Sequence, residues 1–243
     1  MSWLADLKML YHLALAPVHG ASHADRLQRF YEGQAARYDA SRRGMLHGRR
    51  ELFQSIPIPS NGTWIDLGGG TGANLEYLGA SIHRLKRIEI VDLTSALLEV
   101  ARQRISERGW PHVHLIQADA TRYWPSGELA DVVTCSYSLT MIPDWFAAID
   151  QAFALLKPGG LIGVVDFYVS RKYPARNQQV HSWLTRTVWP IWFGLDNVYL
   201  TGDQIAYLHR RFEVIHFSEH RGSMRYLPFA RIPYYRLVGR KPE

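Results

Sequence analysis

The 243-residue chain has a single cysteine, Cys135, so it can form no internal disulfide and holds no cysteine-cluster metal site. That is compatible with a reducing compartment. No apolar run approaches the roughly 20 residues of a bilayer-spanning helix. The opening stretch MSWLADLKMLYHLALAPVHG lacks the basic start and continuous apolar centre of a secretory signal, which predicts that it is retained. A zinc finger, a ribonucleoprotein signature and a long lysine run are all missing, which argues against a nucleic-acid partner. Nothing has metal-ligand spacing, and neither an internal repeat nor a low-complexity linker divides the chain. With 47% hydrophobic and 21% charged residues, no long segment is driven to disorder. One α/β domain with additions is the expectation.

Positive charge is in excess. The net charge of +6 implies attraction to an anionic partner, whether nucleic acid, an anionic membrane face or an acidic small molecule. In the opening stretch Trp3, Leu4, Leu7, Leu10, Tyr11 and Ala14 recur at helical spacing until Pro17 and Gly20 end the pattern. Its apolar face suits either packing on the domain or contact with a membrane or partner. From Ser22 to Phe53 the chain is polar and arginine-rich and reads as two helices with a bend, so residues 1–60 are expected to form a helical cap.

After PIPSNG, strands alternate with helices. Strands are predicted at Thr63–Leu67, Arg87–Val91, Val113–Gln117, Ala130–Ser136 and Leu161–Phe167, and helices at Ala73–Leu78, Ser95–Glu107 and Trp145–Leu156. Such alternation implies a parallel sheet with right-handed crossovers. The last third differs: an aromatic-rich insertion near 170–200 contains WLTRTVWPIWF, and TGDQIAYLHRRF reads as a helix. FEVIHFSEH and YYRLVGR read as strands, paired antiparallel at a sheet edge. Residues 61–243 form the predicted core.

Candidate site residues sit at strand tips. The glycines of WIDLGGGTGANLEYL let a ligand approach the backbone amides at a strand-to-helix turn, and Gly68, Gly70 and Ala73 also fit the loose dinucleotide pattern. Charge separates the possibilities. Asp66, just before the loop, would oppose a pyrophosphate but can orient a loop that receives an ammonium group. Asp92 ends IEIVD, where a carboxylate accepts from ribose hydroxyls. Asp119, in QADAT, can accept from an adenine amino group while the Ala120 amide meets the ring edge. The alternative for Asp66 and Asp119 is helix capping. S-adenosylmethionine carries an ammonium, a ribose and an adenine, so three acids on three successive tips point to it, and against a nicotinamide cofactor.

IDLGGGTG, VDL, QADAT and LLKPGGLIGVVDF resemble the successive motifs of class I S-adenosylmethionine-dependent methyltransferases. The resemblance implies a Rossmann-like seven-stranded sheet with the last strand antiparallel, and S-adenosylhomocysteine as product. It adds Tyr38, Gly69, Leu93 and Ser136 to the cofactor residues. Outside the core, YHLALAPVHG, RFYEGQAARYDASRRGMLHGRRELF, CSYSLTMIPDW, DFYVSRKYP, FGLDNVYL and YLPFARIPYYRLVGR are similar to the methyltransferase part of betaine lipid synthases. That family implies three N-methylations of diacylglyceryl-homoserine. This chain has no room for the domain that attaches the aminocarboxypropyl group, so a separate aminocarboxypropyl transferase is the expected partner.

Tyr31, Tyr38, Tyr137 and Tyr168 are candidates to face a methylated ammonium, with Tyr31 and Tyr137 foremost at the reaction centre. Ordinary packing remains open for each. Arg42, Arg43 and Arg225 are candidate receptors for the substrate carboxylate. Asp166 is a candidate base or a loop anchor; water and a tyrosine are the other bases considered. An amine-bearing diacylglyceryl lipid predicts peripheral attachment at the cytoplasmic face of a membrane, through the N-terminal segment and the Trp183–Phe193 run. Other amine methyltransferases and a cofactor-binding protein without turnover are the competing readings.

Overall fold

The computed structural model describes residues 23–32, 35, 38–42, 44–195, 197–224 and 227–243. The expected N-terminal helix through Trp3 and Leu10 lies outside them, as do Arg43 and Arg225.

The chain runs α1 (His23–Glu32), α2 (Tyr38–Arg42), α3 (Arg49–Ser55), β1 (Thr63–Leu67), a 3-10 stretch (Ala73–Arg84), β2 (Arg87–Asp92), α4 (Ser95–Arg108), β3 (Val113–Gln117) and β4 (Ala130–Ser136). A 3-10 turn (Leu139–Met141), α5 (Trp145–Leu155), β5 (Leu156–Phe167), α6 (Trp183–Gly194), α7 (Asp203–Arg211), β6 (Glu213–Met224) and β7 (Leu227–Arg240) complete it. The seven strands lie in the order β3-β2-β1-β4-β5-β7-β6. β7 is antiparallel to both β5 and β6, and the other pairings are parallel. The sheet is that of the class I methyltransferases.

Four elements differ from the sequence expectation. Where Ser22–Phe53 reads as two helices with a bend, the described residues form three, α1, α2 and α3. The helix after β1 is a 3-10 stretch that extends to Arg84, bent at Gly79, whose φ of 56° takes the chain out of helical geometry. β5 begins at Leu156 because the glycine pair Gly159–Gly160 is bonded to Lys241 beyond β7, Gly159 N–H to Lys241 O at 3.0 Å and Lys241 N–H to Gly160 O at 2.8 Å. Most of RGSMRYLPFARIP is strand rather than connection, so β6 and β7 form one long hairpin.

Apolar side chains fill both faces of the sheet. On one, Leu52, Phe53 and Ile56 from α3 pack with Trp64, Leu75, Ile82 and Ile90, the Phe53 and Trp64 rings stacked 5.7 Å apart. On the other, Ile149, Ala152 and Leu155 of α5 meet Ile205 and Leu208 of α7. Buried aliphatic contacts of this kind each contribute about 1.5–3 kcal/mol. The carboxyl ends of β1 to β5 are left open between these layers, where ligands of open α/β sheets bind.

Candidate active site

At the end of β1 the chain enters the glycine loop, and its geometry explains the bare backbone. Gly68 has φ 70°, and a Cβ there would run into the Cβ of Ser138. At Gly69 a Cβ would lie 2.9 Å from both Asp66 Oδ2 and Ile90 Cγ2. Backbone amides and α-carbons of Gly68, Gly69 and Gly70 therefore line a cavity of about 310 Å³.

Asp92 closes one side. Its Oδ2 accepts from Gly70 N–H at 2.9 Å and its Oδ1 from Thr94 N–H at 2.8 Å, so the carboxylate organises two loops while lining the cavity. Burial raises its pKa above the ordinary value. Asp119 Oδ1 accepts from Thr121 N–H at 2.9 Å and Oγ1 at 2.8 Å, an Asx turn that aims the carboxylate at the tip of β3. Asp119, Ala120, Leu93, Tyr38 and Ser136 all line the cavity. Asp66 does not: it sits fully buried beneath the loop, accepting from Thr134 Oγ1 at 2.6 Å and Asn74 Nδ2 at 3.2 Å, and burial pushes its pKa up to about 6. Its place in the site is to hold the loop.

Sequence reasoning missed Arg49. This buried guanidinium lines the cavity and donates to Asn74 Oδ1 at 3.4 Å, linking it through Asn74 to Asp66. It also missed what fastens the cap. Thr71 of the glycine loop donates to Asp39 Oδ1 at 2.8 Å, and Arg104 of α4 bridges to Asp39 Oδ2 at 2.6 Å. Gln28 of α1 accepts from Ser95 N–H at 3.0 Å, occupying an unpaired amide in the first turn of α4. Isolated polar residues such as Gln28, Asp39 and Arg104 carry no motif, so no local signal marks them.

A second pocket adjoins the first. Tyr31, Tyr38, Leu46, Tyr137 and Met141 line both, and Arg42, Phe167 and Phe193 line the second alone. The Tyr31 and Tyr38 rings meet edge to face at 5.4 Å, and Tyr31 O–H lies 3.3 Å from Met141 Sδ. Arg42 lies over the Tyr38 ring, 5.8 Å from its centre. Tyr137 holds φ at 54°, an unusual value for a tyrosine, while its O–H donates to His47 O at 2.6 Å. Such a backbone is worth about 1–3 kcal/mol of local strain. Burial pushes the Tyr31 and Tyr137 phenols well above their usual range, so both stay neutral.

Two expected site residues lie elsewhere. Side chains alternate across β5: Val165, Phe167 and Val169 face the layer that holds Tyr137 and Phe193, whereas Val164 and Tyr168 face the layer of α5 and α7. Tyr168 is consequently core on the far face, its O–H donating to Glu219 Oε1 at 2.7 Å, and Phe167 takes the pocket position. Asp166 shares the parity of Tyr168. It accepts from Thr140 Oγ1 at 2.6 Å, Thr140 N–H at 3.1 Å and Phe167 N–H at 2.8 Å, lines neither pocket, and is pushed up to about 7 by burial. These bonds tie it to the loop after β4.

The residues present fit S-adenosylmethionine. Ser136 Oγ is buried at the cavity wall with no protein partner among the described residues, an orphaned group that a polar ligand would satisfy. Arg49 offers a cation for a carboxylate, and the carboxylates of Asp92 and Asp119 offer acceptors for hydroxyl and amino groups. Among the described residues no group of histidine, cysteine or acidic side chains is placed to hold a metal.

The sequence profile of a family described as a methyltransferase domain matches residues 36–199, about two thirds of the chain. A ubiquinone/menaquinone biosynthesis C-methyltransferase of Vibrio parahaemolyticus is 26% identical over 162 residues, covering 64% of this chain and 62% of the relative. The aligned region thus spans less than two thirds of that relative's length. Among solved structures, a phosphoethanolamine N-methyltransferase of Haemonchus contortus in complex with S-adenosyl-L-methionine superposes with TM-score 0.69 at 16% identity, over 94% of this chain and 62% of that one. The N-methyltransferase NodS of Bradyrhizobium japonicum, with S-adenosyl-L-homocysteine, gives TM-score 0.64 at 16% identity, over 89% and 98%. These structural likenesses speak for the fold. The extent of the profile match shows the family: the chain belongs to the methyltransferase domain family.

Proposed function

We propose that the chain methylates the amine of diacylglyceryl-homoserine three times, giving the trimethylated betaine lipid. The observation that carries this reading is the aromatic second pocket. The Tyr31, Tyr38 and Tyr137 rings stand where the two pockets meet, and Arg42 stands at the wall. The trimethylated ammonium has no N–H to donate but is attracted to aromatic faces, by about 0.5–2 kcal/mol. Arg42 complements the carboxylate of a homoserine head. The peripheral resemblance to betaine lipid synthases in these same segments supports that head group.

S-adenosylmethionine supplies an electrophilic methyl on a sulfonium, so positioning of the acceptor amine is the main task left to the protein. Tyr31, Tyr38 and Tyr137 would orient the amine toward the cofactor cavity. Both buried phenols keep their protons at neutral pH and Asp166 lies outside the pocket, so among the bases considered water takes the amine proton. A diacyl substrate further implies reaction at a membrane surface, and its homoserine head implies an aminocarboxypropyl transfer upstream.

The relatedness to quinone-biosynthesis C-methyltransferases favours a second reading, methylation of an aromatic ring carbon. Mass spectrometry of products decides between them, with S-adenosylmethionine and either diacylglyceryl-homoserine or a demethylated quinone in mixed micelles. Gains of one, two and three methyl groups on the lipid amine are expected. A single gain on the quinone alone would overturn the lipid reading.

A further inference from the structure

Helix α6 has two apolar faces, and only one of them is used by the fold. Trp189 and Phe193 point inward, the Phe193 ring lying 5.0 Å from that of Phe167, which in turn lies 4.5 Å from Tyr137. Phe193 is thereby a wall of the second pocket. On the opposite side Leu184, Val188, Ile191 and Leu195 recur at spacings of four, three and four, which places them in one stripe along the helix and just past its end. They are 62%, 44%, 66% and 59% exposed. Trp183 and Trp192 border the stripe and are exposed as well.

Charge indicates what covers it. From Phe167 to Leu195 the sequence contains Arg171, Lys172, Arg176 and Arg186 and no acidic residue. Tyr173 and Val180, in the loop that leads into α6, are also exposed. Among the described residues Arg171 is the one of these cations paired with an acid, Asp203 at 2.6 Å, both about half exposed, and Arg186 has its Nε buried. An apolar stripe bordered by tryptophans, on an acid-free and cationic segment, is complementary to an anionic bilayer. No helix among the described residues is long and apolar enough to cross a membrane, so α6 would lie in the interface plane.

We infer that α6 seats the protein on an anionic membrane through Leu184, Val188, Ile191 and Leu195, and that its inner face thereby brings the acceptor pocket to the bilayer. The helix is short, and its exit is tied to the site: Tyr199 N–H donates to Thr140 O at 2.7 Å and Val198 N–H to Phe193 O at 3.0 Å. A lipid head drawn in along α6 would meet Phe193 before it meets the tyrosines. This surface deepens the lipid reading and rests on it for its purpose, though binding to a membrane can be measured without any acceptor.

The test is flotation of the full chain with vesicles of phosphatidylcholine containing about 30% phosphatidylglycerol, against phosphatidylcholine alone. The wild type should float with the anionic vesicles, and Leu184→Ser/Ile191→Ser/Leu195→Ser should lower the bound fraction about tenfold. Affinity for S-adenosylhomocysteine should stay within about twofold, which shows that the variant is folded. Brominated acyl chains should quench the wild type more than Trp192→Phe. Absence of flotation, or equal flotation of the variant, would overturn the membrane surface. So would a wild-type dimer, seen by sedimentation, that the triple serine variant dissociates. The vesicles contain no homoserine lipid, so these outcomes are independent of whether that lipid is methylated in micelles.

Discussion

The walls of the cofactor cavity and of the second pocket are made of different materials. The cofactor wall takes its backbone amides and carboxylates from the tips of β1, β2 and β3, with Gly68, Asp92 and Asp119 each placed by the strand it ends. The second pocket is aromatic and is collected from α1, α2, the ends of β4 and β5, and α6, through Tyr31, Tyr38, Tyr137, Phe167 and Phe193. A strand tip sets a carboxylate by local geometry, so that half is rigid in design. The other half depends on helices docked by a few polar contacts, such as those of Asp39 with Thr71 and Arg104, and so is free to differ among proteins of this fold.

The contrast extends to the buried acids, and the largest expected effect tests one of them. Asp166 is held up at about 7, whereas an aspartate in an unfolded chain titrates near 3.9. The folded state therefore binds the proton more tightly, and stability declines as pH rises through that interval, with the loss complete above the folded value. Asp166→Asn removes this titration. The difference in unfolding free energy between wild type and variant should move by on the order of 4 kcal/mol, at most, against the wild type between pH 4 and 8. Denaturant melts at the two pH values measure it. A pH-independent difference would mean that Asp166 is ionised throughout and that its hydrogen bonds from Thr140 and Phe167 outweigh burial.

Next in size is the cofactor wall. Asp92→Ala should weaken S-adenosylhomocysteine binding about 100-fold by calorimetry, because a charge-assisted acceptor is lost together with its hold on Gly70 and Thr94. Unchanged affinity would remove Asp92 from the site. On the other wall, Tyr31→Ala should lower kcat about 30-fold and change cofactor affinity less than about threefold. The reverse pattern would move Tyr31 to the cofactor and dissolve the distinction between the pockets. The smallest effect is expected for Arg42→Leu, which should raise KM about tenfold for a carboxylate-bearing acceptor and little for an amine without one. Equal changes for both acceptors would assign Arg42 to packing over Tyr38.

What was legible in the sequence follows the same division. Asp92, Asp119 and the glycine loop can be read because a strand-to-turn junction confines cavity-lining groups to a few consecutive residues. Tyr31, Tyr38 and Arg42 were accessible as residue types in a segment before the core, although nothing local says that α1 is fastened to α4 through Gln28. Tyr168 was misplaced by one residue of strand parity: Phe167 holds the pocket position, and an apolar ring beside a tyrosine gives no sign of which faces a ligand. Arg49 stands next to Arg50 in its helix and is distinguished only by its burial beside Asn74.

The sequence by itself determined the alternating architecture, the cofactor tips and their order, because these rest on periodicity and turn chemistry within short windows. Tertiary structure alone decided that β7 lies between β5 and β6 and that Asp66 and Asp166 are supports. It also decided which side of α6 remains exposed. Each of these depends on contacts between residues far apart in the chain, where packing against a distant partner overrides what any local pattern can specify.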